Sequence, residues 1–117
     1  MRYIGTPVSQ LEIAAIFAGR RYELQISTRC CDWISGLPDG LNAKIECGSK
    51  RVGLMSFTSL AGALGVRWLV HDGQLHLFAD DSALPSITRG YVGTCRSRPG
   101  QPNPRRKVPR PALAAAA

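Results

Sequence analysis

Val66-Arg67-Trp68-Leu69-Val70-His71-Asp72-Gly73-Gln74-Leu75-His76-Leu77-Phe78 is the stretch that decides the fold. Two alternating runs flank Asp-Gly, the strongest short-range hairpin signature, because a type I′ turn needs positive φ at both central residues. A two-residue loop fixes the register: His71 faces Gln74, Val70 faces Leu75, Leu69 faces His76 and Trp68 faces Leu77. Trp68, Val70, Leu75 and Leu77 then share one face, which the hydrophobic pattern assigns to the core. The opposite face carries Arg67, Leu69, His71, Gln74, His76 and Phe78, a mixture suited to solvent or to a partner. Arg67, His71, His76 and Phe78 are the candidate protein-contact residues.

Upstream, residues 54–64 place Leu54, Phe57, Leu60 or Ala61, and Leu64 at three- and four-residue intervals, with Gly65 as a C-terminal stop. That spacing predicts an amphipathic helix leading into the hairpin. Near the start, Thr6-Pro7 reads as a helix opening and Gly19 as its end. Apolar residues cover most of the circumference of this first helix, so it is expected to be buried or paired with something outside the chain. Residues 20–28 alternate, with Tyr22, Leu24 and Ile26 on one face, and read as a half-buried strand. Residues 30–42 hold the turn formers Gly36, Pro38, Asp39 and Gly40, with Trp33 and Ile34 as a plug over the core. Residues 43–47 read as a short strand and residues 48–53 as a basic loop. The expected fold class is α+β: a small sheet with two helices on one face and a closing hairpin, followed by a disordered tail.

Charge divides the chain. Of 117 residues, 15 are Lys or Arg and 8 are Asp or Glu, a formal charge of +7. Residues 1–81 hold 8 basic side chains and all 8 acids, whereas residues 82–117 hold the other 7 basic side chains, no acid and 6 of the 8 prolines. The reading is therefore a small neutral domain over 1–81, an irregular extension over 82–96 and a basic, disordered tail over 97–117. Seven uncompensated cations on a flexible segment suit phosphate binding, and Arg105, Arg106, Lys107 and Arg110 are the nucleic-acid candidates. The competing reading is an extension without a role, since GC-rich DNA encodes Arg, Pro, Ala and Gly in many frames. No stretch approaches the roughly 18 consecutive apolar residues of a membrane span. The first seven residues lack the features of a secretory signal, which places the expected location in the cytoplasm, with Cys30, Cys31, Cys47 and Cys95 as thiols.

No constellation for catalysis, cofactor or metal emerges. The cysteines lack Cys-x-x-Cys spacing, and His71 and His76 sit at strand spacing. Gly48-Ser49-Lys50 lacks the rest of a phosphate-binding loop. Asp80 and Asp81 read as a charged strand end. Residues 59–66 have the character of the first helix and turn of a helix-turn-helix, but a strand follows where the recognition helix belongs.

The order of motifs resembles a known module. Gly5-Thr6-Pro7-Val8-Ser9, Leu37-Pro38-Asp39-Gly40, Leu60-Ala61-Gly62-Ala63-Leu64-Gly65-Val66-Arg67-Trp68, His71-Asp72-Gly73-Gln74-Leu75 and Thr88-Arg89-Gly90-Tyr91-Val92-Gly93-Thr94 together resemble a module of phage baseplate hub proteins, which are similar to the spike-hub proteins of type VI secretion. The resemblance covers roughly residues 5–95, in a chain several times shorter than those proteins and without their flanking barrel domains. It implies a structural, non-enzymatic part of a phage-tail-like particle that contacts other subunits and oligomerises. The helix, strands, helix and hairpin ending Gly-Val-x-Trp-x-x-x-Asp-Gly-x-Leu are also similar to the short N-terminal domain of secretins and TonB-dependent transporters, which implies a secretion assembly instead.

Overall fold

The computed structural model describes residues 1–94. They run β1 (Arg2–Gly5), α1 (Gln10–Leu24), α2 (Thr28–Ser35), α3 (Leu41–Glu46), α4 (Leu54–Leu64), β2 (Val66–His71), β3 (Gln74–Ala79), a 3-10 turn (Asp81–Ala83) and α5 (Ser86–Arg89). The class is α+β. Five helices accompany the sheet among the described residues, where the sequence pattern suggests two. The candidates Arg105, Arg106, Lys107 and Arg110 lie outside the described residues.

The hairpin forms as its sequence dictates. Every expected pair is in register, from His71 with Gln74 to Trp68 with Leu77, and the turn residues Asp72 and Gly73 have φ of 52° and 73°. Helix α4 ends on Gly65 in the left-handed region, as the glycine after its last turn requires. The sheet order is β1-β3-β2, so β3 is central. Strand β1 has no alternating run to announce it; its four residues become a strand by pairing with the other edge of β3, with a register shift between Tyr3 and Gly5.

The first half departs most from its sequence reading. Helix α1 is capped by Ser9 rather than opened at Thr6-Pro7: the Ser9 side chain accepts from the Glu12 N–H, and the Glu12 carboxylate accepts from Ser9 Oγ and Val8 N, a reciprocal arrangement of the capping-box kind. The helix then passes through Gly19 and ends at Gln25, whose φ of 55° is left-handed. Residues 20–28 are therefore no strand. Their true period is helical, since Phe17, Arg20, Arg21 and Leu24 are all buried, and the two arginines disguise the stripe by being charged.

Those arginines are buried because each finds a full set of acceptors. The Arg21 guanidinium makes two 2.7 Å bonds to the Glu46 carboxylate and one to the Ile26 carbonyl. Arg20 donates to the Leu64 carbonyl at 2.8 Å and pairs with Glu23 and Asp81. Glu46 belongs to α3, so the segment expected as a strand at 43–47 is a helix. The start of α3 is held by Asp32 of α2, which is fully buried and accepts from the N–H groups of Gly40 and Asn42 and from the Asn42 amide. Asp32 thus supplies the acceptors that α3 lacks in a capping side chain. Helix α2 occupies the region expected as turns, with Ser27 capping the Cys30 N–H.

The core gathers Phe17, Leu24, Ile26, Cys31, Ile45, Leu60, Leu64, Val66 and Leu77 from α1 to α4 and the base of the hairpin. The segment after residue 81, expected to be irregular, continues this packing up to Thr94. The fully buried Thr88 hydroxyl donates to the Ala63 carbonyl at 2.7 Å, Leu84 and Tyr91 lie against the core, and Gly93 N–H reaches the Leu24 carbonyl. Ala63 and Leu64 are the last residues of α4, whose carbonyls have no partner within the helix. Thr88 and Arg20 supply those partners, and so anchor the root of the hairpin.

Candidate protein-contact surface

Above its root the hairpin leaves the core. The expected core face is intact in register but not in burial. Val66, Leu77 and Ala79 are buried and Leu75 is half-buried, whereas Trp68 and Val70 are 49% and 59% exposed. The correction has a simple cause: α4 is eleven residues long and starts at Leu54, so its side chains cover only the lower part of the hairpin. Phe57 packs edge-on against the Trp68 ring at 5.7 Å and against Phe17 at 5.5 Å, a row of three aromatics whose outer member faces solvent.

The four contact candidates share the outer face, but in two environments. Arg67 and His71 are exposed; Arg67 lies 3.6 Å from the Asp80 carboxylate, and His71 lies 3.3 Å from that of Asp72. His76 and Phe78 are half-buried, because β1 lies beside them. His76 Nδ1 is 2.9 Å from the Thr6 hydroxyl, which also bonds the Tyr3 hydroxyl, and Phe78 packs edge-on against Tyr3 at 5.7 Å. These two serve the sheet, and the accessible part of the set is Arg67 and His71.

Trp68 and Val70, expected in the core, are surface residues, and Leu69, expected on the outer face but not among the contact candidates, is exposed with them. Alternation tells which residues share a face and is silent on how far the covering helix extends. Further exposed apolar residues, Leu54 and Met55, occupy the first turn of α4, three and two residues before Phe57.

The other groups of chemical interest lie outside the hairpin. Asp80 accepts from the Ser82 N–H and hydroxyl, which hold its carboxyl below the ordinary range, and Asp81 pairs with Arg20. Cys31 is buried, which pushes its thiol up to about 12, whereas the exposed Cys47 thiol is lowered by hydrogen bonding with Ser49. Among the described residues, no group of three His, Cys, Asp or Glu side chains is placed to hold a metal ion, and no helix is long and apolar enough to cross a membrane. Comparison with protein-family models, with curated proteins and with solved structures finds no match to this chain.

Proposed function

We propose that the protein is a non-enzymatic assembly module of a phage-tail-like particle, docking on other subunits through the upper half of its hairpin. The observation that carries the reading is that every residue of β2 from 67 to 71 is exposed, and three of these five side chains are the large apolar Trp68, Leu69 and Val70. Apolar groups stand exposed on both faces of a projecting element, Trp68 and Val70 on one and Leu69 between Arg67 and His71 on the other, a mixture of apolar and polar groups suited to a contact with another subunit. Trp and Arg are also the residue types that dominate binding energy when buried at a contact. The resemblance of its motif order to baseplate hub modules suggests the kind of assembly.

The test is incorporation. Tail-like particles purified on a density gradient from cells expressing the chain should contain it in fixed ratio to the tube protein. A Leu69→Asp variant with an unchanged circular-dichroism spectrum should be lost from the particles. A chain absent from the particles, or an incorporated Leu69→Asp variant, contradicts the reading.

A further inference from the structure

Strand β2 is the outer strand of the sheet, and none of the other described strands pairs with its far edge. Hydrogen-bonded and non-hydrogen-bonded pairs alternate along an antiparallel ladder. The 2.8 Å bond from Asp80 N–H to the Gly65 carbonyl, and the two-residue turn between His71 and Gln74, assign positions 65, 67, 69 and 71 to the bonds with β3. The N–H and C=O groups of Trp68 and Val70 therefore point away from the sheet. Edges of this kind are normally blunted by proline, lysine or a bulge, and residues 68–70 carry none of these.

We infer that this edge pairs antiparallel with the same edge of a second copy of the chain, joining two three-stranded sheets into one of six strands across a twofold axis at Leu69. The exposed part of β2, residues 67–71, is centred on Leu69, so this register pairs that part of the strand fully with itself. Trp68 of one copy then exchanges backbone hydrogen bonds with Val70 of the other, and the reverse, while the two Leu69 side chains meet at the axis. Arg67 falls opposite His71 of the second copy on the outer face. There the Asp72 carboxylate already lies 3.3 Å from the His71 ring, so a guanidinium meets a carboxylate twice. A register centred on Arg67 would set two guanidiniums face to face, which is unfavourable. Residues 1–94 hold 9 basic side chains and 8 acids, so the described parts of two copies meet nearly neutral, the rest of the +7 belonging to residues 95–117. The pairing stands independently of any tail-like particle.

The register makes the test specific. The two Leu69 residues form a non-hydrogen-bonded pair, whose Cα atoms lie about 4.5 Å apart in an ideal ladder, within reach of a disulfide. In the full chain carrying Cys47→Ser and Cys95→Ser, Leu69→Cys should become a disulfide-linked dimer under oxidised glutathione, whereas Gln74→Cys, exposed on β3, should stay monomeric. Without an added cysteine the same background should sediment at twice 12.7 kDa, and Val70→Pro, which deletes an outward N–H and leaves the ladder to β3 intact, should sediment at 12.7 kDa. Should Val70→Pro fail to fold, the Leu69→Cys result decides alone. Leu69→Cys linking no better than Gln74→Cys, or a parent chain monomeric at about 100 μM, a concentration at which a Kd near 1 μM (about −8 kcal/mol) would leave most chains paired, overturns the pairing. A monomer that nevertheless enters particles through the hairpin would assign the edge to a different subunit.

Discussion

Cys31 shows how much a single buried group ties this fold to pH. Its thiol is raised from 9.0 to about 12, chiefly by burial, so the folded state holds the proton more tightly than the unfolded chain does. Stability from this group is complete below about pH 9 and is lost as the pH rises towards about 12. At about pH 10.5 the loss should be about 2 kcal/mol, measured as a fall in the urea midpoint relative to about pH 8. In Cys31→Ala that pH-dependent fall should shrink by most of its size, whatever the substitution does to stability at neutral pH; an undiminished fall would contradict the assignment. Residue identity also limited what the sequence disclosed. Arg20, Arg21 and Asp32 are charged types in buried places, and each is paid for by partners 3 to 61 positions away. A period calculated from apolar residues alone skips them, which is why 20–28 resembled a strand.

Among the elements, those with local instructions were legible and those that depend on distant partners were not. Asp72-Gly73 sets the hairpin and Gly65 stops α4, both within a few residues of what they control. Ser9-x-x-Glu12 was an equally local signal for the start of α1, but Thr6-Pro7 competed with it three residues earlier. The α3 helix depends on Asp32 and on Glu46 reaching Arg21, and β1 depends on β3; neither dependence has a local signature. Two left-handed positions give a sharp contrast. At Gly65, with φ of 64°, a Cβ would lie 2.8 Å from the Asp80 carbonyl oxygen and 2.9 Å from Leu84, so Gly65→Ala should cost more than the 1–2 kcal/mol of the backbone alone. At Gln25, with φ of 55°, the non-glycine residue already bears that strain, and Gln25→Gly should stabilise by about 0.5–1 kcal/mol. Thermal midpoints of the two variants should therefore move in opposite directions, and a rise for Gly65→Ala would be inconsistent with the packing described.

On the scale of the whole molecule, the helices pack against the lower hairpin and stop. Thr88 and Arg20 fix its root by capping the end of α4, while the upper half projects with its apolar residues exposed and one sheet edge unpaired by any other described strand. The candidate face was legible from alternation, and two of its four candidates, Arg67 and His71, are accessible. The reach of the covering helix was not legible, because it depends on where α4 sits in space. Amide hydrogen exchange reads the outer edge of β2 directly. The N–H groups of Arg67, Leu69 and His71, bonded to β3, should be protected at every protein concentration. Those of Trp68 and Val70 should exchange rapidly in dilute solution and become protected as concentration rises. Rapid exchange at Trp68 and Val70 at all concentrations would show an edge that stays open to water, and would contradict the account.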